Sequence, residues 1–108
     1  QVMPVDWLLG ACLLVRRACI RGSKLLDDRF PMYCEDIDLC YRLNCAGWRV
    51  YYVPHACVAH AHQGDSDRRF LSKASALHTI SMARFALKHY FRKRPNLAPG
   101  TVTRPAEL

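Results

Sequence analysis

The chain opens into an apolar run, Val5-Asp6-Trp7-Leu8-Leu9-Gly10-Ala11-Cys12-Leu13-Leu14-Val15, in which Asp6 and Gly10 argue against a helix. The pattern predicts a strand at about 8–15, ended by Arg16-Arg17, then a short helical turn over 17–22 broken by Gly22-Ser23. Leu26 to Pro31 predicts a loop, because Pro31 bars Phe30 from helical geometry. The clearest helix runs over 35–47. Its first turn carries Glu35, Asp36 and Asp38, where the macrodipole favours negative charge. Ile37, Cys40, Tyr41 and Leu43 form its expected inward stripe, and Gly47 is a natural residue just past its end. Trp48 to Val53 predicts a strand stopped by Pro54, and a second short strand is expected at about 57–60. After the polar loop 63–67, a long helix is expected from Asp67 or Arg68 to about Arg92. Leu77, Ile80, Ala83, Leu87 and Tyr90/Phe91 lie on its apolar face. Pro95, Pro99 and Pro105 make the remainder a loose tail, and no internal repeat is present.

At 108 residues and 12.4 kDa, the sequence is one small domain or a piece of a larger one. Its 51% apolar and 23% charged content excludes an intrinsically disordered chain. No run of 18 apolar residues suits a transmembrane helix. Without a basic n-region or a small-residue cleavage site, the opening run does not read as a signal peptide; it reads as a chain that starts inside a fold.

The net charge of +7 is unevenly placed: residues 1–67 are near −1 and residues 68–108 near +8. Five of the nine acids fall between Asp27 and Asp38, so an acidic site precedes a basic tail. The six cysteines (Cys12, Cys19, Cys34, Cys40, Cys45, Cys57) stand where small apolar residues would serve. Cys34 and Cys40 are expected on different sides of the helix. Reduced, buried thiols in a cytosolic protein are the expectation, rather than a disulfide framework.

Adjacent carboxylates at a helix start repel, and the dipole offsets part of this by roughly 0.3–1 kcal/mol each. A solvated, acid-capped helix end is the plain reading. The sharper one is a general base, with a cation nearby, that accepts a proton from an incoming hydroxyl. His55, His60 and His62 lie within eight residues, with His60 and His62 on one face if the strand continues, which raises a metal-ligand role. With carboxylates joining, an oxygen-rich set suits Mg²⁺ or Mn²⁺ better than Zn²⁺.

The order of segments carries a resemblance. Asp6-Trp7-Leu8-Leu9-Gly10-Ala11-Cys12-Leu13-Leu14-Val15-Arg16-Arg17 comes first, then Asp27-Asp28-Arg29-Phe30. Met32-Tyr33-Cys34-Glu35-Asp36-Ile37-Asp38-Leu39-Cys40-Tyr41-Arg42-Leu43 follows, then Ala46 to Pro54 and His60. Over about residues 5–67 this resembles the C-terminal half of a family 2 glycosyltransferase, most of all its rhamnosyltransferase-like members. Arg84-Phe85 and Lys88-His89-Tyr90 are compatible with it.

The resemblance implies the C-terminal portion of a GT-A, Rossmann-like α/β domain followed by a long amphipathic helix. Its divisions would be residues 1–66 for the acceptor and metal side of the catalytic domain, 67–94 for the helix and 95–108 for a flexible tail. It implies an inverting transfer of sugar from a nucleotide-sugar to a glycan or lipid-linked acceptor, in cell-surface polysaccharide synthesis. Asp36 would be the catalytic base, and Glu35 would hold the acceptor or orient the base. His60 would complete coordination of a divalent metal. Trp7, Gly10, Ala11 and Cys12 would line the sugar and acceptor site, while Asp27 would stabilise its loop or touch the acceptor. Where the family usually carries a Gly-Gly pair, this chain has Lys24-Leu25, and Pro31 replaces a common aromatic. The family's Asp-x-Asp motif and nucleotide-binding half are absent, so the chain alone is expected to be inactive.

Two other classes compete. Cys57-Val58-Ala59-His60-Ala61-His62 offers C-x₂-H-x-H for zinc, but no C-x₂-C pair accompanies it. Arg92-Lys93-Arg94 after Tyr90-Phe91 suits an anionic membrane leaflet or a nucleic acid. The membrane role is compatible with the enzyme reading, which places the protein in the cytoplasm, peripheral on the inner face of the membrane. No nucleic-acid partner is expected with it.

Overall fold

The computed structural model describes residues 1–20, 24–61 and 73–90. In chain order it contains β1 (Met3–Val5), a 3-10 turn (Arg17–Ile20), α1 (Glu35–Cys45), β2 (Val50–Tyr52) and α2 (Lys73–His89). β1 and β2 pair antiparallel, with Met3 opposite Tyr52 and Val5 opposite Val50. α1 lies against β2. The buried apolar side chains are Phe30, Cys34, Leu39, Cys40 and Val50, so the core sits between α1, β2 and the loop before α1.

α1 ends as its sequence dictates. Gly47 adopts φ +85°, donates to the Asn44 carbonyl at 3.1 Å, and lets Trp48 N–H reach the Leu43 carbonyl at 3.0 Å. These two bonds form a Schellman cap. A Cβ on Gly47 would meet nothing, so glycine is needed there for its conformation alone. The other end is unusual. Tyr33 (φ 69°) and Cys34 (φ 65°) are both left-handed, and no side chain caps the helix. For non-glycine residues this geometry costs about 1–2 kcal/mol each.

Three expected elements differ. Residues 8–15 form no strand but an irregular segment with a turn at Gly10, and Leu14 is fully exposed. Strand pairing falls instead on residues 3–5, the segment that finds β2 as a partner. Residues 57–60 are also irregular and exposed, with only a turn before them closed by Ala56 N–H to the Val53 carbonyl. His60 therefore lies outside any strand, and His62 falls outside the described residues. The α1 stripe is shifted: Asp36, Asp38, Leu39 and Cys40 are buried, while Ile37, Tyr41 and Leu43 are only half-buried.

α2 (Lys73–His89) falls within the span expected for the long helix, but its orientation reverses the expectation. Ser81 and His89 are buried, and Phe85 and Lys88 line the same side. The expected apolar face points outward: Ile80 and Ala83 are exposed, Leu87 is 75% exposed and Tyr90 78%. Only Leu77 is half-buried. Polar groups that grip the chain before α1 decide the orientation against the apolar stripe. The polar loop 63–67, His62, Phe91, the basic cluster Arg92-Lys93-Arg94 and the tail lie outside the described residues.

Candidate functional site

The left-handed turn at Tyr33-Cys34 delivers Glu35 and Asp36 to the start of α1. Asp36 is 9% exposed. Its Oδ2 accepts a 2.7 Å hydrogen bond from Gly10 N–H, and its Oδ1 one of 2.8 Å from Ile37 N–H. A Cβ added to Gly10 would lie 3.4 Å from both Asp36 Cβ and Oδ2. The irregular segment therefore brings its backbone amide directly onto the carboxylate, with a Cβ there at ordinary contact distance. Glu35 has the opposite situation: its Oε2 is buried and accepts no hydrogen bond among the described residues. An unmatched buried acceptor is costly, and this one sits beside a carboxylate that is fully engaged. Together they place one fixed and one available carboxylate at the positive end of a helix.

Behind this pair stands a second acidic centre. Asp38 is completely buried. Its Oδ1 accepts from Lys88 Nζ at 2.6 Å and contacts His89 Nε2 at 2.8 Å, and its Oδ2 accepts from Arg42 Nε at 2.8 Å. Burial alone would raise the Asp38 pKa, but hydrogen bonds from Lys88, His89 and Arg42 outweigh it and leave it below the usual value. Lys88 Nζ also donates to Asp27 Oδ2 at 2.6 Å, and Arg29 holds both oxygens of Asp27. Arg29 first, then Lys88, keep Asp27 well below the ordinary carboxylate range. Arg42 reaches on to the Lys24 and Leu25 carbonyls, and Lys24 pairs with Asp28.

α2 supplies the rest of the frame. Ser81 Oγ donates to the Met32 carbonyl at 2.7 Å, and Arg84 Nη1 to the Arg29 carbonyl at 2.7 Å. The His78 ring lies 4.9 Å from that of Tyr33. The His89 ring packs between Tyr41, at 4.2 Å, and Phe85, at 4.7 Å.

The sequence-derived site residues are only partly gathered. Gly10 touches Asp36; Ala11 and Cys12 follow it in an exposed turn, and Trp7 precedes it on the surface. Asp27 is engaged by Arg29 and Lys88. His60 is exposed on the irregular segment after β2. Among the described residues no three His, Cys, Asp or Glu side chains are grouped to hold a metal ion. The described residues alone therefore do not make up a cation site, and any further ligands would come from elsewhere in the protein. Cys34 and Cys40 are both buried, and burial pushes both thiols up. Cys12, Cys45 and Cys57 are exposed, against the expectation that all six are buried. Sequence reasoning did not find the Asp38–Lys88–His89 centre. Its one local signal was the Asp38/Arg42 pair at i,i+4.

The profile of the glycosyltransferase like family 2 matches residues 3–83, and the chain belongs to that family. It is 42% identical over 86 residues to N-acetylglucosaminyl-diphospho-decaprenol L-rhamnosyltransferase of Mycobacterium tuberculosis, covering 80% of this chain and 28% of that protein. Over 83 residues it is 45% identical to rhamnosyltransferase WbbL of Escherichia coli, covering 75% of this chain and 30% of that protein. The pre-mycofactocin glycosyltransferase of M. tuberculosis is 32% identical over 96 residues, covering 89% of this chain and 20% of that protein. The chain thus spans less than a third of the length of these relatives. No solved structure matches it significantly.

Proposed function

We propose that this chain is the acceptor-side, C-terminal part of a GT-A catalytic domain, residues 1–66, followed by a segment, 67–94, that contains α2 and then by residues 95–108. The full-length protein would move a sugar, of the rhamnosyl class that its relatives' names carry, from a nucleotide-sugar to a glycan or lipid-linked acceptor. The observation that carries this reading is the Asp36 carboxylate, clamped to Gly10 N–H beside Glu35, in a chain of this family. Asp36 takes the proton of the acceptor hydroxyl, and Glu35 beside it holds a neighbouring donor group of the acceptor or orients the base. The hydroxyl oxygen then forms a bond to the anomeric carbon as the bond to the nucleoside diphosphate breaks, inverting the centre. Gly10, Ala11 and Cys12, with Trp7, line the sugar and acceptor side.

In the full-length protein, Asp36→Asn should lower turnover by about 10²–10⁴-fold. Nucleotide-sugar affinity should stay nearly unchanged, because the amide keeps the size of the side chain. Turnover that survives removes Asp36 as the base. A divalent cation, Mg²⁺ or Mn²⁺, belongs to the same proposal with His60 as one ligand and the others from elsewhere in the protein. His60→Ala should then raise the metal concentration needed for half-maximal activity without shifting the unfolding midpoint. An unchanged metal titration removes His60 from the ligand set.

The protein would act at the cytoplasmic face of a membrane, with the outward face of α2 toward anionic lipid headgroups. The exposed charge on described α2 residues supports this: Lys73 and Arg84 are exposed and the helix carries no acid, while Lys88 is committed inward to Asp27 and Asp38.

A further inference from the structure

We infer that Lys88 and Ser81 of α2 are positioning residues for the Glu35–Asp36 pair, holding the chain that carries it closed at both ends and at its centre. The inference rests on the proposed role of that pair. Lys88 Nζ binds Asp27 at 2.6 Å and Asp38 at 2.6 Å, so one ammonium joins the two ends of the segment that contains the pair. Between those ends, Ser81 Oγ holds the Met32 carbonyl at 2.7 Å, directly before the left-handed residues Tyr33 and Cys34. Two consecutive non-glycine residues in that conformation persist only where the surroundings over-determine them. Ser81 and the His78–Tyr33 ring contact are the surroundings that α2 provides.

Charge neutralisation does not explain Lys88. Asp27 already receives both of its oxygens' bonds from Arg29, and Asp38 already has Arg42 and His89. What the lysine adds is the connection between them. Ser81 is likewise buried with its hydroxyl committed to a single carbonyl of the turn. Ser81, Phe85 and Lys88 recur at helical spacing on the side of α2 that faces inward in place of the apolar stripe, and His78, exposed one turn earlier, meets Tyr33 at its edge. The consequence reaches Gly10, whose N–H stays on Asp36 only while α1 starts where the turn places it.

The test uses the full-length transferase with Lys88→Met, Lys88→Arg and Ser81→Ala, and Asp36→Asn beside them. Lys88→Met should lower kcat by about tenfold to a hundredfold, the range expected for a misplacement of about 1 Å. Donor KM should hold within about twofold, since only the reacting geometry shifts. Lys88→Arg should restore most of the loss, because a cation of similar reach can still join the two carboxylates. Hydrogen exchange at the Gly10 amide should quicken in Lys88→Met by more than at the β2 and α1 core amides, whereas a loss of global stability would quicken them together. Ser81→Ala should show the same split in kcat and KM, and it decides the matter if Lys88→Met does not fold. Undiminished kcat, a fall in kcat that merely follows the folded fraction, or unchanged Gly10 protection overturns the inference. An active Asp36→Asn would instead sink the proposed base. An inactive Asp36→Asn beside fully active Lys88→Met and Ser81→Ala would sink the positioning role alone.

Discussion

Asp36 and Glu35 are neighbours with opposite surroundings, and the difference comes from one glycine. Gly10 N–H fixes Asp36 Oδ2 at 2.7 Å, while Glu35 Oε2 is buried without a donor. Two substitutions at Gly10 separate the donor from the space around it. Alanine keeps the N–H and puts a Cβ 3.4 Å from Asp36 Cβ and Oδ2, an ordinary contact. Gly10→Ala should therefore change stability by less than about 1 kcal/mol. Proline removes the N–H and leaves a buried carboxylate oxygen short of a partner, at a cost of about 1–3 kcal/mol. Urea unfolding of the two variants measures this difference directly, and equal losses would show that the glycine matters for space rather than for its donor.

At the scale of elements, α2 acts through its polar side, and the acid response of the fold should report this. Asp27 and Asp38 both have pKa values lowered in the folded state. The unfolded chain, with carboxylates near about 3.9, therefore binds more protons than the folded one in acid. Their contribution is complete above that value and is lost as pH falls through the folded values. The urea midpoint should hold between about pH 5 and 7 and drop steeply toward pH 3. Replacing either Asp27 or Asp38 with Asn should flatten that drop, and an unaltered slope would mean that other carboxylates control it. The same centre marks the limit of what was legible along the chain. α1, its Gly47 end, β2 and the acidic start with Asp36 followed from local pattern, because caps, dipoles and periodicity act within a few residues. The Asp38 centre joins residues 50 and 51 positions apart, and no local rule pairs them. The strand expected at 8–15 failed for a related reason. Apolar content makes a strand possible, but only a partner at the right register makes one, and β2 selects residues 3–5.

For the molecule as a whole, the reversed helix leaves an apolar stripe outside, and the charges around it say what it should meet. Ile80, Leu87 and Tyr90 are exposed on α2, and so are its cations Lys73 and Arg84, with no acid on the helix and Lys88 turned inward. No helix among the described residues is long and apolar enough to cross a membrane, so any contact of α2 with lipid would be interfacial. Burying a leucine or isoleucine at an interface contributes about 1.5–3 kcal/mol, and each lysine or arginine near an anionic surface about 1 kcal/mol. The two contributions are comparable, so binding should need both. Full-length protein should float with vesicles containing phosphatidylserine, bind neutral vesicles more weakly, and release in high salt as the charges are screened. Leu87→Glu should reduce flotation strongly while leaving turnover on a water-soluble acceptor unchanged, because Leu87 lies on the side of α2 opposite Ser81. Equal binding to neutral and anionic vesicles would remove the electrostatic part of this account. A Leu87→Glu variant that converts a dimer to a monomer, with flotation intact, would assign the stripe to a second copy of the chain instead.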